Sequence, residues 1–354
     1  MSVKALFDQD DKAVGVSAPR PIYALLLLLI IVGGLIAYKA TASLSVIERV
    51  QATGVLKPRF ELTQSDSSSI WLGALISRTL SYFSVVWPAL LFGVLISGAV
   101  RAFVSPRWVA GLLGRGRVRP QLVAGLAGAP LMLCSCCMAP VFTSVYERSS
   151  RLAPSLALML AAPSLNPAAL ILTFMLFGGK VGAVRLLMSG LGVIIIGLLA
   201  ERLIKAKQPS CAVDDYPPSL KGSVMATFVD SCLKVAVQTL PLILGGVVIS
   251  MLIARWLPVS GPGFLTAGVT AIIVMALIAV PLAMPTFFEI PLALIVVAAG
   301  MPTGAAVAVL IAGPATNLPS LFTVARSTGW KVPALVAAAV WGLAVIGGLL
   351  VSLS

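Results

Sequence analysis

Residues 130–199 and 281–350 read as one segment written twice, with no insertion between the copies. Pro281, Pro291, Pro314, Asn317 and Lys331 follow Pro130, Pro140, Pro163, Asn166 and Lys180, each by 151 positions (281 − 130 = 151). Each copy must then build the same elements and meet the other across its helix breakers, which is the pattern of membrane transporters made from structural repeats. The copies differ most between their first two matched prolines. One carries Cys134-Ser135-Cys136-Cys137, the other Pro285-Thr286-Phe287-Phe288-Glu289. Function is expected where thiols stand in one copy and a carboxylate in the other.

Composition fixes the solvent. With 59% hydrophobic residues, 10% charged and a mean hydropathy of +1.05, the chain has too little polar surface for a water-soluble domain of 354 residues. A net charge of +13 elsewhere points to nucleic acid. Here the basic residues sit in short loops between apolar runs, which is a topology signal, so the expected partners are the bilayer and a small solute, and nucleic acid is not one. The absence of histidine removes imidazole metal sites and His-based acid–base chemistry. Three of the five cysteines crowd into four positions, which is not a disulfide framework. Without a phosphate-binding glycine loop the chain is not expected to hydrolyse ATP or to act as an enzyme, and no cofactor or resident metal is expected.

The expected fold is an all-α polytopic membrane protein of two repeats with proline-broken or re-entrant helices and one extra N-terminal transmembrane helix. Residues 1–20 read as a cytoplasmic tail, 21–38 as a retained transmembrane helix and 39–79 as a polar loop. Repeat 1 covers 80–203, a cytoplasmic linker 204–230, and repeat 2 covers 231–354. Apolar runs fall at about 81–100, 121–145, 154–177, 181–203, 235–254, 266–300, 303–324 and 332–353. Several exceed the roughly 20 residues needed to cross a bilayer. Pro130 and Pro140 interrupt one, and Pro281, Pro285 and Pro291 another. Clustered prolines remove backbone donors, and the freed groups are tolerated at membrane depth only inside protein or along a cavity.

If both broken segments return to the side they came from, each repeat makes three crossings and the second is inverted. With the amino terminus inside, Lys39, Arg49, Lys57, Arg59, Arg78, Lys180, Arg185 and Arg255 fall outside, leaving 25 − 8 = 17 basic residues inside. Nine full crossings with parallel repeats are the alternative. That arrangement exports the loop with Arg148 and Arg151.

Three constellations carry chemistry. Cys134, Cys136 and Cys137 are soft donors suited to Cu(I), Zn(II) or trivalent arsenic. A helix pairs Cys134 with Cys137, a turn pairs Cys134 with Cys136, and single buried cysteines more often merely pack. Glu289 lies deep in an apolar run, where carboxylates are functional by default, and is the expected proton-coupling group; capping a freed backbone donor is the bland reading. Asn166, in Pro163-Ser164-Leu165-Asn166-Pro167, and Thr316 with Asn317, in Pro314-Ala315-Thr316-Asn317-Leu318-Pro319, put polar side chains at helix breaks. They can line a site or satisfy the broken backbone.

Gly128-Ala129-Pro130 before Cys134-Ser135-Cys136 and Pro140, then Pro163-x-x-Asn166-Pro167, then Gly313-Pro314-Ala315-Thr316-Asn317, resembles the predicted permeases that include the bacterial organoarsenical efflux permeases. The resemblance covers roughly residues 80–350. It implies a multi-pass inner-membrane permease without an ATPase domain, some members exporting trivalent methylated or aromatic arsenicals. Cys134 and Cys136 match the family motif, whereas Cys137 stands where members often have a small residue. The expected function is therefore secondary efflux of a small thiophilic solute, conferring arsenical resistance. Cys134, Ser135, Cys136, Cys137, Asn166, Thr316 and Asn317 would bind it. A permease for an organic anion or a sulfur or selenium compound, and a membrane thiol oxidoreductase, are the alternatives. Self-association is left open.

Overall fold

The computed structural model describes residues 21–54, 56, 71–104, 116, 118–204, 224–255 and 268–353. The expected tail at 1–20, residues 55 and 57–70 of the expected polar loop, and most of the linker lie outside the described residues. Twelve α-helices and no strands occur among the described residues: α1 Pro21–Thr53, α2 Trp71–Phe103, α3 Arg119–Gly128, α4 Ser135–Ser149, α5 Leu152–Ser164, α6 Pro167–Leu203, α7 Val224–Arg255, α8 Gly268–Ala279, α9 Glu289–Ala298, α10 Thr303–Ala315, α11 Leu318–Thr328 and α12 Lys331–Ser352. Five of them, α1, α2, α6, α7 and α12, are long and apolar enough to cross a membrane. A sixth span results if α10 and α11, which meet at 46°, are counted together. The outer surface is apolar, with Leu126 79%, Val237 72% and Ile30 69% exposed. Such a surface is stable only in lipid, so the chain is an all-α polytopic membrane protein.

Both proline clusters break their helices, but not at every proline. The first break is a 3-10 turn, Ala129–Leu131, followed by Met132 at φ 50. Pro140 instead sits inside α4, where its carbonyl accepts a hydrogen bond of 2.9 Å from the Ser97 hydroxyl of α2. The second break separates α8 from α9 and is repaired from α7, since Ser250 donates to the Pro281 carbonyl at 3.2 Å and accepts from the Ala283 N–H.

Element boundaries recur at the spacing of the sequence copies. α5 and α10 begin 303 − 152 = 151 and end 315 − 164 = 151 residues apart. Gly178 (φ 83, ψ 173) and Gly329 (φ 84, ψ 165) are separated by the same 151, and both hold a left-handed backbone that suits glycine. Gly329 divides α11 from α12. Gly178 does the same within α6: Arg185 reaches back to the Thr173 hydroxyl at 2.5 Å, whereas twelve residues of straight helix would separate them by about 18 Å. Thus α6 is two helices, and the expected division between the runs 154–177 and 181–203 falls at this glycine.

Contacts between chain ends order the bundle. Arg151 donates to the Gly116 carbonyl at 2.8 Å and approaches Glu201 at 4.0 Å, while Arg101 meets Glu147 at 2.6 Å. The two ends of the first broken segment therefore lie together, beside the end of α2 and the end of α6. A segment that crossed the bilayer would hold its ends some 30 Å apart. At the opposite end of the bundle, the start of α10 packs Gly304 against Gly348 and Ser352, and Lys180 reaches the Val351 carbonyl at 3.4 Å.

Two elements differ from expectation. α1 does not stop at Tyr38 but continues to Thr53, so Lys39 and Arg49 stand on a helix and not in a loop. The hydroxyls of this stretch bond back to their own helix, Thr41 to the Ala37 carbonyl at 3.0 Å and Thr53 to the Arg49 carbonyl at 2.7 Å, which lets a polar-looking sequence stay helical. Leu35, Ser43 and Val50 form its buried stripe. Arg185, expected outside, is wholly buried within α6.

Candidate functional site

The thiols sit where the first break becomes α4. Met132 turns the chain, and Cys134 follows in an extended conformation (φ −72, ψ 161) as the residue before the helix. Its carbonyl accepts from the N–H groups of Cys137 at 3.1 Å and Met138 at 3.0 Å, starting α4. The half-in, half-out position serves both expected pairings at once. The Cys134 sulfur lies 2.8 Å from that of Cys137 and 3.1 Å from that of Cys136, with 3.9 Å between the latter two. Ser135 is buried beside them, and the Tyr82 hydroxyl of α2 touches the Cys136 sulfur at 3.4 Å. α4 can lie this close to α2 because Gly93 has no side chain where it meets the Cys137 carbonyl. The three sulfurs lie within 4.8 Å of one another, a donor set that fits one soft, three-coordinate centre.

Of the three, Cys134 alone reaches a cavity with about 120 Å³ of water-accessible space, room for several waters or one small solute. Its other walls come from α1, α2 and the second break, including Pro285, Thr286 and Phe287. The cavity thus joins the two unlike inserts, thiols on one side and the proline-rich turn on the other. Phe287 lines it with φ 74, a left-handed backbone that a bulky residue adopts only under strain of about 1–3 kcal/mol. A second void, between α5, α6 and α12, has about 20 Å³ and holds no more than one water.

Glu289 opens α9 and is not among the cavity walls. Its carboxylate meets the Arg185 guanidinium at 3.0 Å, with side chains 4% and 0% exposed. Arg185 also donates to Thr173, while its Nε has no partner. This pair ties α6 to the start of α9, beside the second break. Asn166 and Asn317 are caps, also away from the cavity walls. The Asn166 side chain accepts from Ala168 and Ala169 N–H at 3.1 and 3.4 Å. That of Asn317 accepts from Ser320 N–H at 2.9 Å in a reciprocal capping box. Thr316 donates to the Val280 carbonyl at 3.4 Å and Leu318 N–H to the Pro281 carbonyl at 3.2 Å, so this break also repairs its neighbour.

Sequence reasoning passed over Arg185, Tyr82 and Lys39. Arg185 and Lys39 carried the same signal as Glu289, a charge within an apolar stretch, and were absorbed into loop counts. Tyr82 gave no signal beyond an aromatic residue near the start of an apolar run.

Comparison with known proteins agrees with this architecture. UPF0718 protein YraQ of Escherichia coli (strain K12) is 28% identical over 293 residues, covering 81% of this chain and 83% of the relative. UPF0718 protein MJ0584 of Methanocaldococcus jannaschii is 23% identical over 308 residues, covering 68% and 84%. A Streptococcus mutans protein named as a two-component membrane permease complex subunit is 25% identical over 136 residues, covering 36% and 45%. No solved structure matches the chain. The family described as predicted permease matches residues 72–353, from α2 to the end of α12 and through both breaks, and the chain belongs to that family.

Proposed function

We propose that the chain is a bacterial inner-membrane secondary transporter that exports a small thiophilic solute, such as a trivalent organoarsenical, with proton coupling at Glu289. The observation that carries this reading is the three-thiol cluster at the wall of a cavity between two broken segments. A monosubstituted trivalent arsenical keeps its As–C bond and exchanges its two hydroxyls for two thiolates, releasing two waters, and Cys134 with Cys136 or Cys137 supplies such a pair in one place. Asn166 and Asn317 cap the helices at the breaks beside the site. Energised everted vesicles are the test. Full-length protein should accumulate methylarsenite, and the Cys134→Ser/Cys136→Ser/Cys137→Ser variant should not. Equal accumulation by both would leave the thiols a packing role, and preference for a sulfur or selenium compound by both would replace the substrate.

The chain ends support inverted repeats. The first broken segment returns to the end of the bundle where α5 begins, whereas α10 begins at the other end. Positive charge at the Arg101, Arg148 and Arg151 end supports a cytoplasmic position for it. A cysteine introduced at Ser150 is expected to resist membrane-impermeant thiol reagents in intact cells, and one at Thr303 to react. Labelling of both from outside favours parallel repeats. The Streptococcus mutans relative's name raises a partner subunit as a second component, which copurification with full-length protein would reveal.

A further inference from the structure

The family match begins at residue 72, so α1 lies outside it. Yet α1 is one wall of the cavity, contributing Lys39, Ser43 and Arg49. It is seated firmly there: Tyr38 stacks on Phe92 of α2 at 6.1 Å, and the Ser43 hydroxyl touches the Met132 sulfur of the first break at 3.9 Å. Lys39 stands midway along the 28-residue apolar stretch Leu26–Thr53. A lysine at such depth is expensive and needs a counter-charge. Among the described residues no carboxylate meets it: neither Lys39 nor Arg49 joins a salt bridge, the cavity walls include no carboxylate, and the acidic group that faces Lys39 there is the Cys134 thiol. Ten residues of helix put the two cations about 15 Å apart, Lys39 half-buried and Arg49 exposed.

We infer that the missing counter-charge arrives with the solute: the cavity takes a small organic anion that carries a soft, thiol-seeking atom, its acid group held by Lys39 after entry past Arg49. The neutral part faces the apolar wall of Val46, Val86 and Ala89, and the soft atom faces Cys134. The soft half of this substrate rests on the thiol reading above; the anionic half rests on α1 alone. Cationic residues in a low-dielectric cavity favour an anion far more than the same residues in water. A basic groove also draws anions in from solution.

Binding to the full-length protein in detergent, read by thermal shift across a concentration series, tests both halves with three probes: phenylarsine oxide, its 4-carboxylate and plain benzoate. The 4-carboxylate should bind about tenfold more tightly than phenylarsine oxide. Lys39→Gln should erase that advantage, Arg49→Gln should reduce it, and both should leave phenylarsine oxide binding unchanged. Cys134→Ser should weaken both arsenicals and spare benzoate. A 4-carboxylate advantage that is absent in the wild type, or that survives Lys39→Gln/Arg49→Gln, overturns the inference. Benzoate binding that depends on Lys39, with no arsenical binding at all, would sustain the anion site and remove the thiol reading. If none of the probes binds, both fall.

Discussion

Cys134→Ser is expected to lower methylarsenite transport by about a hundredfold or more, with protein level and melting temperature near wild type, because a hydroxyl is a poor donor to a soft centre. The geometry orders the three positions. Cys134 lies nearest both other sulfurs, at 2.8 and 3.1 Å, and alone of the three faces the cavity, so on the proposed reading it receives the solute first. Cys136→Ser should approach the same loss, since Cys136 closes one edge of the triangle and its sulfur is held by Tyr82. Methylarsenite keeps its As–C bond and takes two thiols, so Cys137→Ser should lose as much as Cys134→Ser if Cys137 is the second ligand and little if Cys136 is, which makes this variant the measure of which pair binds. Serine is close to cysteine in size, and its hydroxyl can bond a helix carbonyl or, at 136, the Tyr82 hydroxyl, so each variant should fold. Transport at wild-type rates by both Cys134→Ser and Cys136→Ser would reduce the cluster to packing between α4 and α2.

The breaks were legible in the sequence because proline and asparagine act locally: Pro130, Pro281, Asn166 and Asn317 each mark a place where the helix ladder cannot continue. The matched glycines at 178 and 329 were legible only as a gap between apolar runs, since nothing in a single glycine shows that its φ is positive. The length of α1 was hidden for a different reason. Ser and Thr read as loop formers, and only the structure shows their hydroxyls returned to the helix backbone. The thiol cluster could be named from spacing, but the choice between helix and turn pairing could not, because Cys134 is a cap and obeys both. The cavity was not legible. It depends on α1 crossing the first break and on Phe287 being held against its preferred backbone, both of which are tertiary outcomes.

Arg185→Met should destabilise the protein by about 3–5 kcal/mol, the usual loss when one member of a buried ion pair is removed and the other is left uncompensated. Glu289 would then sit 3% exposed at the start of α9 without the guanidinium that now lies 3.0 Å away. Denaturant unfolding in detergent measures the effect, and the double variant Arg185→Met/Glu289→Leu should recover most of it, because two apolar side chains of similar volume restore a neutral contact. Wild-type stability in Arg185→Met alone would show that the pair is not a structural tie. On the proposed reading the same pair is the point of coupling, because loss of the charge on Glu289 would turn its ion pair with Arg185 into a weaker hydrogen bond and loosen the join between α6 and the start of α9. Glu289→Gln keeps the shape and still accepts from Arg185 but cannot ionise. It should bind solute and exchange it across the membrane, yet lose accumulation driven by a proton gradient. Wild-type pumping by Glu289→Gln with an unchanged pH profile would return Glu289 to a purely structural role and move the coupling group elsewhere in the bundle.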